Sequence, residues 1–437
     1  METPDLSWFN GAGLGLFVHW DHASQQGLEV SWPLVGRSLV RDADTRDDVS
    51  VAQYHSSAAT FNPKKWDAKA LAKLARSCGA RYAVFTTRHH SGYAMFHTAA
   101  SGFSIEHSPF GSDITRQFVE AMRGEGLRVG LYYSLSDWHH PDYPAFSEDS
   151  RPYAYDRYPR PDKETWERYL VYVRAQLTEL LTQYGTIDLV WFDGHWERTA
   201  EEWHAGELRE LVASLQPRAI VNDRLPGQGD YATPEQFLPI EPPGRPWELC
   251  MTMNDSWGWR PNDTNYKSAR LIARILSEVV SRGGNLLLNV SPTGDGEIPY
   301  IQASRLRELG AWIAGHGDTV LGVRPPPPSV DFTGPATMRG SHLYLHLIAL
   351  PVECAIVRGI PVRRVKQVSL VGAGPLRFEI PLAALDEHLL GPDLLGELSI
   401  EAPRPPGTLI DVIDIEFDGP LASASMFQGH KLRRVRT

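Results

Sequence analysis

Two acidic residues stand apart from the rest of the chain by what surrounds them. Asp193 ends the run T-I-D-L-V-W-F-D-G-H-W-E (186–197), where Ile187, Leu189, Val190, Trp191 and Phe192 are apolar and Gly194 allows an immediate turn. A short apolar run that follows a helix and is bounded by glycine predicts a buried parallel strand. A carboxylate at the carboxyl end of such a strand faces the ligand crevice of an α/β sheet or barrel. The plainer alternative is an aspartate that only caps a loop. Glu235 lies in G-D-Y-A-T-P-E-Q (229–236), a Gly/Pro-rich loop after the fifth predicted strand. A carboxyl on such a loop can reach over a bound molecule, and partial burial would help it hold a proton. Two carboxyls flanking one bond are what glycoside hydrolysis needs. Glu241, Glu248, Asp255, Glu201 and Glu202 compete with Glu235, and position alone does not choose among them.

Polar and aromatic residues recur just past the other predicted strands: His19, the pair His89–His90, Tyr133 and Arg224. One such residue would be unremarkable, but their repetition at the mouth where barrel enzymes work is hard to explain by packing. His19, His89, His90 and Asp193 could together bind a metal ion. However, neighbours on a strand point to opposite faces, so His89 and His90 are not expected to share one ion without a bend. Neutral imidazoles that donate and accept bonds to sugar hydroxyls fit the pattern better. The chain has 13 tryptophans, and Trp20, Trp32, Trp138, Trp191, Trp196, Trp257 and Trp259 sit beside polar or Gly-rich turns. Flat aromatic faces at a cleft suit the C–H faces of sugars.

These residues must be positioned by an alternation of strand and helix. Strands are predicted at 13–19, 82–87, 127–133, 187–193, 219–221, 247–252 and 285–290, and helices at 63–78, 113–123, 164–184, 200–215, 266–281 and 300–315. That alternation implies a parallel sheet, and its count favours an irregular (β/α)8-like TIM barrel over an open doubly wound sheet. G-A-G-L-G (11–15) precedes its strand, whereas a dinucleotide loop must follow one and open a helix, so it is not a phosphate loop. The polyproline run 325–328 marks the expected boundary between a catalytic domain, 1–323, and a C-terminal domain, 324–437. In the latter, 342–348, 365–371, 376–380 and 408–417 read as strands of an antiparallel β-sandwich.

Composition narrows the partners. A chain of 437 residues with net charge −10 does not suit a nucleic-acid polyanion or an anionic membrane surface. The basic stretch 431–436 reads as a solvated end. No apolar run reaches the ~20 residues that span a bilayer, and 1–10 lacks a secretory pattern. Cys78, Cys250 and Cys354 are too few for a disulfide framework, so a reducing, cytoplasmic setting is expected. The sequons at Asn254, Asn262 and Asn289 then carry no meaning.

In order along the chain, F-V-H-W (17–20), Y-A-V-F-T-T-R-H-H-S-G-Y (82–93), G-L-Y-Y-S (130–134), L-V-W-F-D-G (189–194), V-N-D-R (221–224) and R-G-G-N-L-L-L-N-V-S-P (282–292) resemble the α-L-fucosidases of glycoside hydrolase family 29. The resemblance covers about residues 8–323. It implies a retaining, exo-acting enzyme that removes terminal α-L-fucose from oligosaccharides or glycoconjugates by double displacement, with no cofactor and no metal. It places the nucleophile on Asp193 and sugar contacts on His19, His89, His90, Tyr133, Trp191 and Arg224. The family pattern D-[FY]-x-T-x-E falls on 230–235 and makes Glu235 the acid/base. E-V-S-W (29–32) stands where the family has E-W-Y, which nominates Glu29 and Trp32. Phe17, Trp191 or Trp257 would wall the fucose methyl group. The chain departs from the family at Asp21, usually glycine, and at Ser91, usually aspartate. A metal-dependent barrel hydrolase and a catalytically silent fucose-binding protein are the competing readings.

Overall fold

The computed structural model describes residues 3–35, 49–143, 149, 151, 160–381, 395–403 and 407–420. The basic stretch 431–436 and part of the long connection after the first strand lie outside the described residues. Contacts divide the chain into two compact units, Met1–Lys267 with Asn285–Arg307, and Ser268–Gly284 with Glu308–Thr437.

The first unit contains seven parallel strands: β1 (Leu14–Val18), β2 (Tyr82–Arg88), β3 (Arg128–Ser134), β4 (Leu189–Asp193), β5 (Ile220–Val221), β6 (Glu248–Met251) and β7 (Asn285–Val290). Their order in the sheet is β5-β4-β3-β2-β1-β7-β6. Nearly every strand residue is buried, as expected where both faces of a parallel sheet are covered. Helices α1 (Val51–Ser56), α2 (Ala68–Ser77), α3 (Ile114–Gly124), α4 (Lys163–Gln183) and α5 (Ala205–Leu215) connect the strands. Asp67, Asp113 and Asp162 cap α2, α3 and α4, accepting from backbone N–H groups three residues on at 2.8–2.9 Å. Capping defines these helix starts more sharply than apolar spacing does. Thus α2 begins after Asp67 and not at Pro63.

The strand list leaves a gap between β5 and β6, and an extended segment at 231–235 fills it. Tyr231 bridges in parallel to Asn222, Ala232 to Trp247, and Glu235 to Cys250. Four backbone hydrogen bonds on the β6 side (Ala232 N to Pro246 O, Glu248 N to Ala232 O, Cys250 N to Pro234 O, Gln236 N to Cys250 O) measure 2.9–3.1 Å. The segment is therefore an irregular eighth stave, and Glu235 sits on it, not on a free loop. Pro234 lacks an N–H for a regular ladder, which explains why the stave is broken and hard to read in sequence. Asp230 secures its start by accepting from Val221 N at 2.8 Å and from Arg209 at 3.0 Å. Inside the barrel, Phe17, Tyr82, Val84, Tyr132, Leu189, Trp191, Ile220, Tyr231, Cys250 and Leu287 form one apolar cluster.

Among the described residues the second unit holds α6 (Ala269–Ser281), the C-terminal part of α7 (Tyr300–Val320) and nine antiparallel strands. They are β8 (Asp331–Phe332), β9 (Ala336–Arg339), β10 (His342–Leu347), β11 (Cys354–Pro361), β12 (Val365–Leu370), β13 (Gly374–Pro375), β14 (Phe378–Glu379), β15 (Leu395–Glu401) and β16 (Asp411–Phe417). Two sheets, β13-β12-β16-β10-β9 and β14-β15-β11-β8, enclose a core that includes Leu343, Leu345, Val357, Leu398, Ile413 and Ile415. By contacts α6 and the end of α7 group with the second unit, ahead of the expected boundary at 323/324, and α6 packs with β9. Among the described residues no helix is long and apolar enough to cross a membrane.

The eighth stave depends on a close approach at Gly229, where a Cβ would lie 2.4 Å from Asp223 Cα and 2.6 Å from Asp223 N. Backbone cannot yield as a side chain does. Gly229→Ala should therefore cost about 1–3 kcal/mol and move Glu235. Thermal unfolding should show the loss of stability, and activity per folded molecule should fall with it.

Candidate active site

At the carboxyl ends of the strands lies a cavity of about 230 Å³, lined by Phe17, His19, Trp32, His89, Trp191, Asp193, Trp196, Arg224, Glu235 and Trp257. Asp193, the last residue of β4, is buried, and Gly194 behind it adopts φ +68°. A Cβ there would meet Ser136 Oγ at 2.3 Å, so the turn that presents Asp193 requires glycine.

Three groups converge on the Asp193 carboxylate. Tyr132 Oη donates to Oδ2 at 2.8 Å, Arg224 Nη1 donates to Oδ1 at 2.9 Å, and His90 Nε2 lies 3.7 Å from Oδ2. Burial alone would raise the proton affinity of Asp193. The Arg224 charge, His90, and the hydrogen bonds from Arg224 and Tyr132 outweigh it and hold the group at about 2. Asp193 is thus an anion over the whole working range of pH. Arg224 Nη2 also donates to Glu235 Oε2 at 2.6 Å, and its guanidinium lies 4.5 Å above the Trp191 ring. One planar cation therefore joins both candidate carboxyls and rests on an aromatic face.

The histidines are held from behind. Asn289 Nδ2 donates to the Trp257 carbonyl at 2.8 Å, so its Oδ1 faces His19 Nδ1, 2.8 Å away, and receives that N–H. Ser134 Oγ gives its proton to the Ser136 carbonyl and so accepts from His90 Nδ1 at 2.7 Å. In the neutral ring each assignment leaves a lone pair on Nε2. Burial pushes His19 down to about 3 and His90 to about 4, and it drives His89 well below the usual range. His89 Nδ1 is fixed by Ser31 Oγ at 2.6 Å.

Other expected residues fall differently. Tyr133 points away from the cavity. It pairs with Phe192 while Tyr132 pairs with Trp191, so alternation puts Tyr132 on the face shared by Trp191 and Asp193. The Tyr133 hydroxyl donates to Gln176 at 3.1 Å and its ring stacks on Arg88, so Tyr132 takes the place expected for Tyr133. Glu29 does not line the cavity. Its two oxygens accept from the backbone of Trp257 at 2.6 Å and Gly258 at 2.8 Å, which pins the loop that carries Trp257. Trp32 and Trp257 are lining residues, and Trp196, expected among the tryptophans beside turns but given no sugar contact, joins them. Trp196 follows Asp193 by three residues beyond the turn, which was its signal in sequence. The two departures from the family pattern meet: Ser91 Oγ donates to Asp21 Oδ2 at 3.1 Å, so a carboxylate is present at this spot from the other strand.

Donor atoms of His89, His90 and Asp193 lie within 4.8 Å of one another. The expectation that the two histidines diverge fails because β2 ends at Arg88 after a register shift, and the ring centroids lie 4.1 Å apart. The group still suits a divalent cation poorly. Arg224 already bonds Asp193, and a permanent positive charge so close would repel a second one.

The family model for α-L-fucosidase matches residues 2–318. The chain belongs to the α-L-fucosidase family. It is 30% identical over 346 residues to an α-L-fucosidase of Branchiostoma floridae, a match covering 74% of each chain. α-L-Fucosidase isoenzyme 1 of Paenibacillus thiaminolyticus superposes with a TM-score of 0.80 at 34% identity, covering 94% of this chain and 98% of that one. A glycoside hydrolase family 29 α-L-fucosidase of Bacteroides thetaiotaomicron, trapped as a covalent intermediate with 2-fluoro-fucosyl fluoride, has the same fold: TM-score 0.78, 23% identity, coverage 95% and 97%.

Burial of neutral histidines makes stability depend on pH. Below pH ~6.5 an unfolded chain takes up protons that folded His19, His89 and His90 refuse, so folding weakens as pH falls towards their depressed values. Asp193 acts in the same sense, its contribution being lost only below about 3.8. The Tm followed by circular dichroism should therefore decline steadily from pH 6.5 to 4. Glu197 and Glu248, raised to about 8 and about 7, act in the opposite sense, but the buried histidines, which also include His22 and His346, outnumber them, so a flat profile would contradict the neutral assignment.

Proposed function

We propose that this α-L-fucosidase releases terminal fucose by double displacement, with Asp193 as nucleophile and Glu235 as acid/base. One observation carries the reading: a single guanidinium holds both carboxyls at one small cavity. The oxygens bonded to Arg224 can be no farther apart than two hydrogen bonds and the span of one guanidinium. Membership of the α-L-fucosidase family favours the retaining course for this pair. The trapped intermediate of the Bacteroides relative supports the same course.

In the first step an Asp193 oxygen attacks the anomeric carbon while protonated Glu235 gives its proton to the departing oxygen. In the second, Glu235 takes a proton from water, which displaces Asp193 and yields free fucose with its configuration kept. Tyr132 and Arg224 keep Asp193 ionised and aimed, so no proton needs to leave it before attack. The Nε2 lone pairs of His19 and His90 accept from ring hydroxyls. Phe17 and Trp257, whose rings lie 5.9 Å apart, offer the apolar surface for the methyl group. Ligand pockets for drug-sized molecules run to about 300–1,000 Å³, so a smaller cavity admits one sugar ring and favours exo action on a terminal fucosyl residue of an oligosaccharide or glycoconjugate.

The test uses azide and an activated aryl α-L-fucoside. Asp193→Gly should lose turnover and recover it with azide, giving a fucosyl azide of inverted configuration. Glu235→Ala should give the azide of retained configuration and, on substrates with poor leaving groups, lose about 10²–10⁴-fold in rate. Chelators should leave the wild type unchanged. Full activity in Asp193→Gly would refute the assignment, and loss of activity to chelation would favour a metal-dependent hydrolase.

A further inference from the structure

Beneath the cavity, inside the barrel, Glu248 is a carboxyl that the double displacement does not use. It opens β6 and is fully buried. One oxygen accepts from Trp191 Nε1 at 3.0 Å and the other from the Tyr82 hydroxyl, so it ties β6 to β4 and β2 across the barrel interior. An acid here is costly, since burial pushes its proton affinity up to about 7 against the hydrogen bonds of Tyr82 and Trp191 and the charge of Arg224. A well-packed apolar side chain would avoid that cost. What it could not do is accept from two inward-pointing donors.

The indole that Glu248 anchors is central to the site. Arg224 lies 4.5 Å from the Trp191 ring, and the Tyr132 ring stacks on Trp191 at 5.5 Å with planes 18° apart. Both side chains that hydrogen-bond Asp193 therefore rest on Trp191.

We propose that Glu248 is a positioning residue: by anchoring the indole N–H it fixes the surface on which Arg224 and Tyr132 lie, and so sets the guanidinium between Asp193 and Glu235. The proposal rests on the roles given above to Asp193 and Glu235. Glu248 reaches the reaction only through Trp191, so it should act on turnover more than on sugar binding. The ionisable groups around it are Tyr82, Tyr231, Cys250, Asp223 and Arg224. A carboxylate there contributes negative charge beside Arg224 at neutral pH and above.

The experiment compares wild type, Glu248→Gln, Glu248→Leu, Trp191→Phe and Trp191→Phe/Glu248→Leu on an aryl α-L-fucoside, with Tm measured for each. Glu248→Gln keeps an acceptor for the indole. It should retain kcat/KM within about 10-fold. Glu248→Leu should lose about 100-fold, mostly in kcat. The double variant should be no slower than Trp191→Phe, because the anchor has nothing left to hold. Additive losses in the double variant would overturn the proposal, as would a Glu248→Leu enzyme with lower Tm but unchanged kcat. If Glu248→Leu does not fold, Trp191→Phe decides, because it keeps a ring but removes the anchored N–H, and a wild-type kcat there would overturn it. An inactive wild type would instead refute the fucosidase mechanism, so the two failures are distinguishable.

Discussion

An ionised carboxyl buried at an aromatic-walled cavity, as Asp193 is, loses hydration and is tolerable only if a cation stands beside it. Arg224 is that cation. Its planar fork bonds one oxygen of Asp193 and one of Glu235, and its flat face covers Trp191. Lysine could offer the charge but not two bonds at a fixed angle with a stacking face. The surrounding barrel can be understood as the support for this arrangement. The two-residue strand β5 ends on Val221, the first residue of V-N-D-R, and the irregular eighth stave brings Glu235 to the other arm of the guanidinium. Closing the barrel by a broken stave is what lets a carboxyl from 235 face one from 193.

A second regularity is that aromatic walls are held from behind by buried acids. Glu29 takes the backbone N–H groups of the Trp257 loop, Glu197 takes the indole N–H of Trp138 at 2.9 Å, and Glu248 takes that of Trp191. Trp138 in turn packs against Trp32 and His90. Each acid is buried, and burial raises Glu197 to about 8 and Glu248 to about 7. Indole rings are large and could settle in several orientations, and a buried acceptor for one N–H selects a single one. The histidines follow the same logic, with Asn289, Ser31 and Ser134 fixing Nδ1 of His19, His89 and His90.

Much of this was legible in the residues themselves. Apolar runs alternating with helical spacing gave seven strands, whereas the Asp67 cap, which sets where α2 starts, was not read. The polar residue past each strand pointed to one mouth. Asp193, His19, His89, His90, Trp191, Arg224 and Glu235 could be nominated because their local patterns, strand end or motif, are properties of contiguous sequence. The sandwich could be seen only in part. Short strands such as Gly374–Pro375 and the bulged Cys354–Pro361 carry no clear alternation.

What sequence alone could determine was which residues stand at strand ends, since strand formation and turning are local. What it could not determine was which way each side chain faces and what stands behind it. Tyr132 and Tyr133 are adjacent tyrosines on one strand, and only pairing with β4 decides that the first meets Asp193 and the second meets Gln176. Glu29 and Trp257 are far apart in the chain, so a carboxylate that reads as a sugar ligand proves to be a clamp on a distant loop. Asp21 and Ser91 look like two separate departures until the fold puts them 3.1 Å apart. Face, partner and protonation state depend on burial and on contacts between distant segments, and these exist only once the barrel is closed.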